Sequence, residues 1–576
     1  MNKFPSKLLP ALVVMILAIA WSLPSQSSCR YLPTDTEWPS DVEWNGLNDT
    51  VSGHLMATEP LAAVCHGDKF QASRCKGVKD EWISPLFHEK SPSSLLAPYY
   101  QNQSCDPFTP QSKPCELGNY VVYSINASST ADVAAGIKFA KEKNVRLVIK
   151  NTGHDFLGRS TGTGGLSIWT HNLRTIEFLP AYTSPAYNGT AMKMGAGTRA
   201  FEAIDAAHKN GVQVITGFCP TVGIIGGFLQ GGGSGPLASF RGLAADQVLE
   251  FEVVTAAGDL VVATPEKHSD LYWALSGGGG GTYGVVVSVT LRVFEDGMIG
   301  GAVLAFSREN VSTHDLYDIL GHLFDVVPSL IDSGVQLGWQ ITKTSFELGP
   351  VTAPGFTVHG LRQALEPFTS RLESAGIKYK LNVTSMPSYK THFETYLGPS
   401  PAGRYNANAM LGSRLIPRGS LTINRTALID MTRSITENSS TFIVFLAANV
   451  TRSTSKQPVA DNAVLPQWRD SAIHALATLI WDFDIPQKEM LARHAELLDH
   501  VVPQLRAVVP GNAGTYLNEA EVDIQNWKDD FFGANYNRLR HIKKFYDPND
   551  LFYAEYSVGS DSWYRASDGR LCRTQD

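Results

Sequence analysis

No basic run crosses this chain of 576 residues, and Lys plus Arg (48) fall short of Asp plus Glu (55), leaving a formal net charge of -7. Without a positive stripe interleaved with aromatics there is no electrostatic footprint for a phosphate backbone, so nucleic acid is not an expected partner. Long apolar runs are missing too. The one candidate, residues 8 to about 21, is shorter than the ~20 residues that span a bilayer and contains Pro10. Lys3 and Lys7 precede it and small polar residues follow at 25–28, the layout of a signal peptide over residues 1–28, with no stable membrane span in the mature chain. Cys and His show no metal-ligand spacing, and no G-x-x-x-x-G-K-[ST] occurs, which removes structural zinc and P-loop chemistry from consideration.

Cysteine is scarce, and its count is odd: Cys29, Cys65, Cys75, Cys105, Cys115, Cys219 and Cys572. Export to an oxidising compartment is further suggested by N-x-[ST] sequons at Asn48, Asn102, Asn126, Asn188, Asn310, Asn382, Asn424, Asn438 and Asn449, which predict N-glycans. There, cysteines pair. Five lie before residue 116 and one at the extreme C-terminus, so these six are expected to form three disulfides that lace the N-terminal segment and the tail onto the body. Cys219 is left over, at the mouth of a glycine-dense run.

The length suits two or three packed domains. After the Cys-rich lead, STADVAAGIKFAKEKN has helical spacing with a Ser or Thr cap, and VRLVIK (residues 145–150) reads as a strand entering the loop NTGHDFLGRSTGTGG. RAFEAIDAAHKNG reads as a second helix closing on Gly211, followed by a strand VQVITG that delivers Cys219. QVLEFEVVTAAGDLVVAT predicts a hairpin, and HSDLYWALSGGGGGTYGVVVSVTLRVF a helix, a glycine turn and a strand.

Three glycine-rich stretches, residues 151–165, 223–235 and 277–284, each lie beside a predicted strand. Glycine lets backbone amides approach a pyrophosphate and turn several N–H groups toward one anion, so a dinucleotide site is expected. Gly279, Gly281 and Gly284 satisfy G-x-G-x-x-G, but a strand follows where that fingerprint requires a helix, so the match is accidental. Gly158-Arg159-Ser160-Thr161-Gly162 matches the G-x-S-x-G of hydrolase nucleophile elbows, again with a strand following. Taken singly, His154 reads as a turn histidine and Cys219 as a core thiol. Together, beside glycine loops, they read as two nucleophiles flanking one cofactor.

Three ordered motifs make the resemblance specific: Gly153-His154-Asp155; Cys219-Pro220-Thr221-Val222-Gly223; and Asn535-Tyr536-Asn537-Arg538-Leu539 with Lys543, Asp547 and Pro548. Residues 119–294 resemble the FAD-binding domain of the vanillyl-alcohol oxidase, or PCMH-type, superfamily, and the chain as a whole resembles its berberine-bridge-enzyme-like branch. The ending LFYAEYSVGSDSW is similar to that of secreted fungal isoamyl alcohol oxidases, with relatives in secondary metabolism. The implied fold is α+β: a two-part PCMH-type FAD-binding domain plus an α+β substrate domain whose sheet covers the flavin. The implied boundaries are a Cys-rich segment over 29–117, the FAD-binding domain over 118–298, the substrate domain over 299–506 and a completing segment over 507–576.

By that resemblance, FAD is covalently held by His154 at the flavin 8α-methyl carbon and by Cys219 at flavin C6. Gly153, Asp155, Gly158, Thr221, Gly223, Gly227, Gly232, Gly235, Gly284, Val285, Asn535 and Tyr536 are implied to bind the cofactor. Val222 stands where a small side chain goes with oxidase behaviour, implying O2 as acceptor. Tyr516 and Asn518 match the first and third positions of a Tyr-x-Asn-Tyr pattern and are the expected catalytic residues, whereas Glu519 departs from its fourth. The general base stays open between Tyr516 and a residue of the middle region. The expected function is secreted oxidation of an alcohol, a secondary-metabolite intermediate among the candidates, with hydride passing to flavin N5 and H2O2 released. Oxidative cyclisation or desaturation is the alternative within the flavin class, and a serine hydrolase using Ser160 the alternative outside it.

Overall fold

The helix expected near residue 130 forms as Thr130–Glu142, and a capping box sets its start: the Ser129 hydroxyl accepts from the Asp132 N–H while the Asp132 carboxylate accepts from the Ser129 N–H. Its apolar side, Val133, Ile137 and Ala140, packs on Leu147 and Ile168. The structure, a computed structural model, describes residues 28–451, 461–509 and 511–574. The expected signal peptide lies, except for Ser28, outside them.

Leu147 and Ile168 belong to a four-stranded sheet in which Tyr123–Asn126, Gly165–Trp169 and Arg146–Lys150 run parallel and Leu55–Ala57 pairs antiparallel at the edge. Helix Thr130–Glu142 is the crossover between Tyr123–Asn126 and Arg146–Lys150. A second, antiparallel sheet takes the order Ile176–Thr183, Asn188–Gly195, Val285–Arg292, Val248–Val254, Leu260–Ala263. Its last two strands are the expected hairpin, turning at Gly258 with φ +89. The strand expected over VQVITG shrinks to Val212–Gln213, paired with Phe294–Glu295. Beyond it residues 214–217 run buried but outside any strand, with the Gly235 backbone so close that an added Cβ would lie 1.8 Å from the Thr216 carbonyl oxygen.

A third sheet of seven antiparallel strands is built wholly from residues 299–480, with helices Thr313–Asp332, Val358–Ser374 and Arg425–Asn438 packed together and against it. The tail returns to the first sheet, where Phe552 bridges in parallel to Leu147. Fold class is thus the α+β arrangement that the resemblance implied.

Cys219 is the free cysteine, and the other six pair as Cys29–Cys572, Cys65–Cys75 and Cys105–Cys115. Only the first laces distant parts together, over a separation of 543 residues. The other two close ten-residue loops inside the N-terminal segment and do not tie it to the body. Sequon residues Asn102, Asn188, Asn310, Asn382 and Asn438 are exposed. Asn449 is not: it is buried, and its amide donates to Asp332 Oδ1 at 2.7 Å, which leaves no room for a glycan.

Candidate functional site

All three glycine stretches and the tail converge on one cleft. Strand Arg146–Lys150 enters its wall through Gly153, whose φ of +88 turns the chain so that His154 points inward. Behind the turn, Lys150 is fully buried, its ammonium donating to the Ser91 carbonyl at 2.9 Å. Burial pushes it down to about 7. His154 is likewise pushed down, to about 4, by burial and then by the nearby Lys150 charge, so its imidazole is neutral at pH 7.

Thr221 joins the two expected nucleophiles. Its buried hydroxyl lies 2.7 Å from His154 Nε2 and 3.2 Å from Cys219 Sγ. With Nε2 engaged, Nδ1 is the ring nitrogen left to react. Burial raises the Cys219 thiol above its ordinary range, so it stands as a protonated thiol and not as the thiolate that a reactive cysteine is usually supposed to be. The next residue, Val222, lines the cleft, its backbone fixed by the Ala200 N–H at 2.9 Å at the start of helix Ala200–Lys209.

The donor set fits a dinucleotide. A Cβ added at Gly227 would meet nothing within 4 Å, and at Gly281, φ +68, nothing nearer than 3.7 Å, so both present bare backbone to the cleft. Asn151 Oδ1 and Gln230 Oε1, on two residues of the wall, are buried acceptors without a partner among the described residues. Orphaned acceptors beside exposed amides suit a ligand carrying both hydroxyl or N–H donors and an anion.

On the far wall, the Tyr516 hydroxyl accepts from the Asn518 amide at 2.8 Å and from the Ser234 N–H at 3.2 Å. Its ring stands edge-on to Trp468 and His474 at 5.2 and 5.5 Å. Burial, then the Glu519 charge, holds the phenol well above its usual range, so it does not supply a tyrosinate at neutral pH. Glu519 shares that wall.

Other expected site residues lie elsewhere. Gly158 packs under Tyr100, where a Cβ would approach within 2.5 Å, and Gly235 against Thr216. Gly232 sits behind Tyr516, with φ +117. Val285 faces the core with Val133 and Leu147, while Val286 lines the cleft, since neighbouring strand residues point to opposite faces. Asn535 donates to the carbonyls of Ala463 and Val464, and the Tyr536 hydroxyl to Asp561, away from the wall. Ser160 lines the cleft, but Gly165–Trp169 follows as a strand, so the elbow that a serine nucleophile needs is absent.

Comparison with known proteins agrees with the geometry. Residues 123–264 match the family model "FAD binding domain" and residues 515–559 the model "Berberine and berberine like". The VAO-type flavoprotein oxidase VAO615 of Thermothelomyces thermophilus is 41% identical over 578 residues, covering 98% of this chain and 100% of its own. The bifunctional decalin synthase calF of Penicillium decumbens is 42% identical, with 96% of each chain covered. The crystal structure of VAO-type flavoprotein MtVAO615 from Myceliophthora thermophila C1 superposes with a TM-score of 0.91 at 41% identity, over 95% of this chain and 100% of that one. A glucooligosaccharide oxidase from Acremonium strictum, described as carrying 6-S-cysteinyl, 8α-N1-histidyl FAD, shares the fold with a TM-score of 0.63 at 20% identity, over 77% of this chain and 91% of its own.

Proposed function

The chain belongs to the FAD-linked oxidoreductases of the vanillyl-alcohol-oxidase type with a berberine-bridge-like C-terminal segment, and on that premise we propose that it is an exported oxidase converting an alcohol to a carbonyl compound and dioxygen to hydrogen peroxide. One observation carries the reading: within residues 219–222 a thiol and the cleft-lining His154 share one hydroxyl, that of Thr221, and a small side chain, Val222, lines the cleft. When bound, FAD supplies the acceptor for a hydride. His154 Nδ1 and Cys219 Sγ would tether it, each bond replacing one C–H and one N–H or S–H, with two protons and two electrons passing to dioxygen as H2O2. The Thr221 hydroxyl positions both nucleophiles, and the bare amides around Gly227 and Gly281 bind the pyrophosphate.

Thr221→Val keeps the side-chain shape and removes the hydroxyl. It is expected to leave protein folding intact but to lower the fraction of flavin retained after acid precipitation, with the Cys219-linked peptide the more depleted in mass spectra. Full double linkage in that variant would show that the hydroxyl positions nothing.

Val222 puts a small side chain on the cleft wall, which on this reading admits dioxygen. A panel of primary and secondary alcohols is therefore expected to yield a substrate that bleaches the flavin anaerobically and releases peroxide in air. With it, Val222→Leu is expected to slow aerobic reoxidation by about tenfold, worth ~1.4 kcal/mol of barrier, and to leave anaerobic bleaching unchanged. Bleaching without peroxide in the wild type would exclude the oxidase reading.

The name of the decalin synthase relative favours a second reading, hydride loss that triggers a cyclisation. It is told apart by a ring-closed product in place of a free carbonyl. Export is supported by the exposed sequons and three disulfides, and endoglycosidase sensitivity of secreted protein tests it.

A further inference from the structure

The side chain that breaks the Tyr-x-Asn-Tyr pattern is the one best placed for acid–base work. Glu519 lines the cleft with Tyr516 and Asn518, its side chain 30% exposed. Oε2 lies 3.4 Å from Nδ1 of His474, which strand Ser471–Ile480 holds 2% exposed. His474 Nε2 has no partner among the described residues, and burial pushes that imidazole down to about 3, so it is neutral and lends the carboxylate no charge. Tyr516 stands between them and the glycine run, its oxygen already accepting two hydrogen bonds.

We infer that Glu519, seated against neutral His474, is the general base that takes the substrate hydroxyl proton, with Tyr516 and Asn518 positioning that hydroxyl. The inference rests on the oxidase reading above. In the step, the alcohol O–H bond breaks and its proton passes to the Glu519 carboxylate. The carbon's hydrogen leaves with both electrons of its C–H bond to the cofactor, and the C–O bond becomes C=O. Dioxygen then takes up the two electrons and two protons, one of them restored from Glu519, as H2O2. Burial raises the carboxyl to about 7, which is where a base shared between accepting and returning a proton works best. The groups facing it are His474 from the large sheet, Tyr516 from its own segment, and Tyr405, whose hydroxyl burial and then the neighbouring acidic groups hold above its usual range.

The test uses the flavin-loaded protein and the alcohol giving fastest peroxide release in the screen. Glu519→Gln is expected to lower kcat by about 10²–10⁴-fold with little change in KM, and to abolish the acid limb of the wild-type profile, whose midpoint is expected near pH 7. Glu519→Asp restores part of the rate and keeps a shifted limb, while Tyr516→Phe lowers the rate and keeps the limb in place. Independently of turnover, the visible absorbance of the bound flavin is expected to titrate near pH 7 in wild type and Tyr516→Phe but not in Glu519→Gln. A limb and a titration that survive Glu519→Gln overturn the inference and leave the oxidase reading standing. Failure of the wild type itself to bleach or to release peroxide overturns that reading, and the inference with it.

Discussion

Replacing both His154 and Cys219 by alanine is expected to release all of the FAD into the supernatant on acid precipitation, whereas each single change leaves the flavin fixed through the remaining residue. The expectation follows from protonation states. His154 is neutral across the pH range in which the protein would fold, because burial and the Lys150 charge hold it near 4, so it has a ring-nitrogen lone pair available to form a bond without first losing a charge. Cys219 lacks that advantage: burial favours the protonated thiol, and it must give up its proton within the site. The histidine bond is therefore expected to form first and faster. His154→Ala should load slowly and incompletely, and Cys219→Ala should load fully but by one bond. In-gel flavin fluorescence and peptide mass spectra separate these outcomes. Complete release of flavin by His154→Ala alone would return Cys219 to the role of an ordinary buried thiol.

Local rules made much of this site legible, and its long-range contacts were not. Helix Thr130–Glu142, strand Arg146–Lys150 and the turn through Gly153 follow from capping residues, β-branched spacing and a glycine at positive φ, all decided within a few residues. An odd cysteine count, in a chain whose sequence led export to be expected, singled out Cys219 before any contact was known. What stayed hidden depends on phase and distance. Alternation says that one of Val285 and Val286 faces the cleft, but only packing of Val285 against Val133 and Leu147 decides which. The Thr221 bridge spans 67 residues, and the His474–Glu519 contact joins the large sheet to the tail; no local pattern encodes either. Glu519 did leave a signal, as a departure from an expected tyrosine, but its burial was needed to give that departure a chemical meaning.

The C-terminal motif shows the same division, since two of its residues act far from the cleft wall while a third secures it. Lys543, 1% exposed on helix Tyr536–Tyr546, donates to Asp547 Oδ2 at 2.5 Å and to the carbonyls of Thr282 and Phe552 at 2.8 Å each. Asp547, equally buried, accepts from the N–H groups of Leu551 and Phe552 at 2.9 Å. This buried pair therefore pins the tail both to the glycine turn at residues 277–284 and to the segment that extends the first sheet at Leu147. Lys543→Met removes one charge of a pair that was desolvated as a unit and leaves the Asp547 carboxylate stranded, at an expected cost of about 3–5 kcal/mol. The melting temperature is expected to fall by about 2–4 °C, with flavin loading lost in parallel because the turn carrying Gly281 loses its anchor. Lys543→Arg keeps the charge and three donor contacts' worth of hydrogen-bonding capacity, and is expected to recover part of both. Differential scanning calorimetry of the purified variants decides the point. A Lys543→Met protein that melts with the wild type would mean that the motif's lysine carries no structural load, and that the glycine turn is held by its own backbone contacts alone.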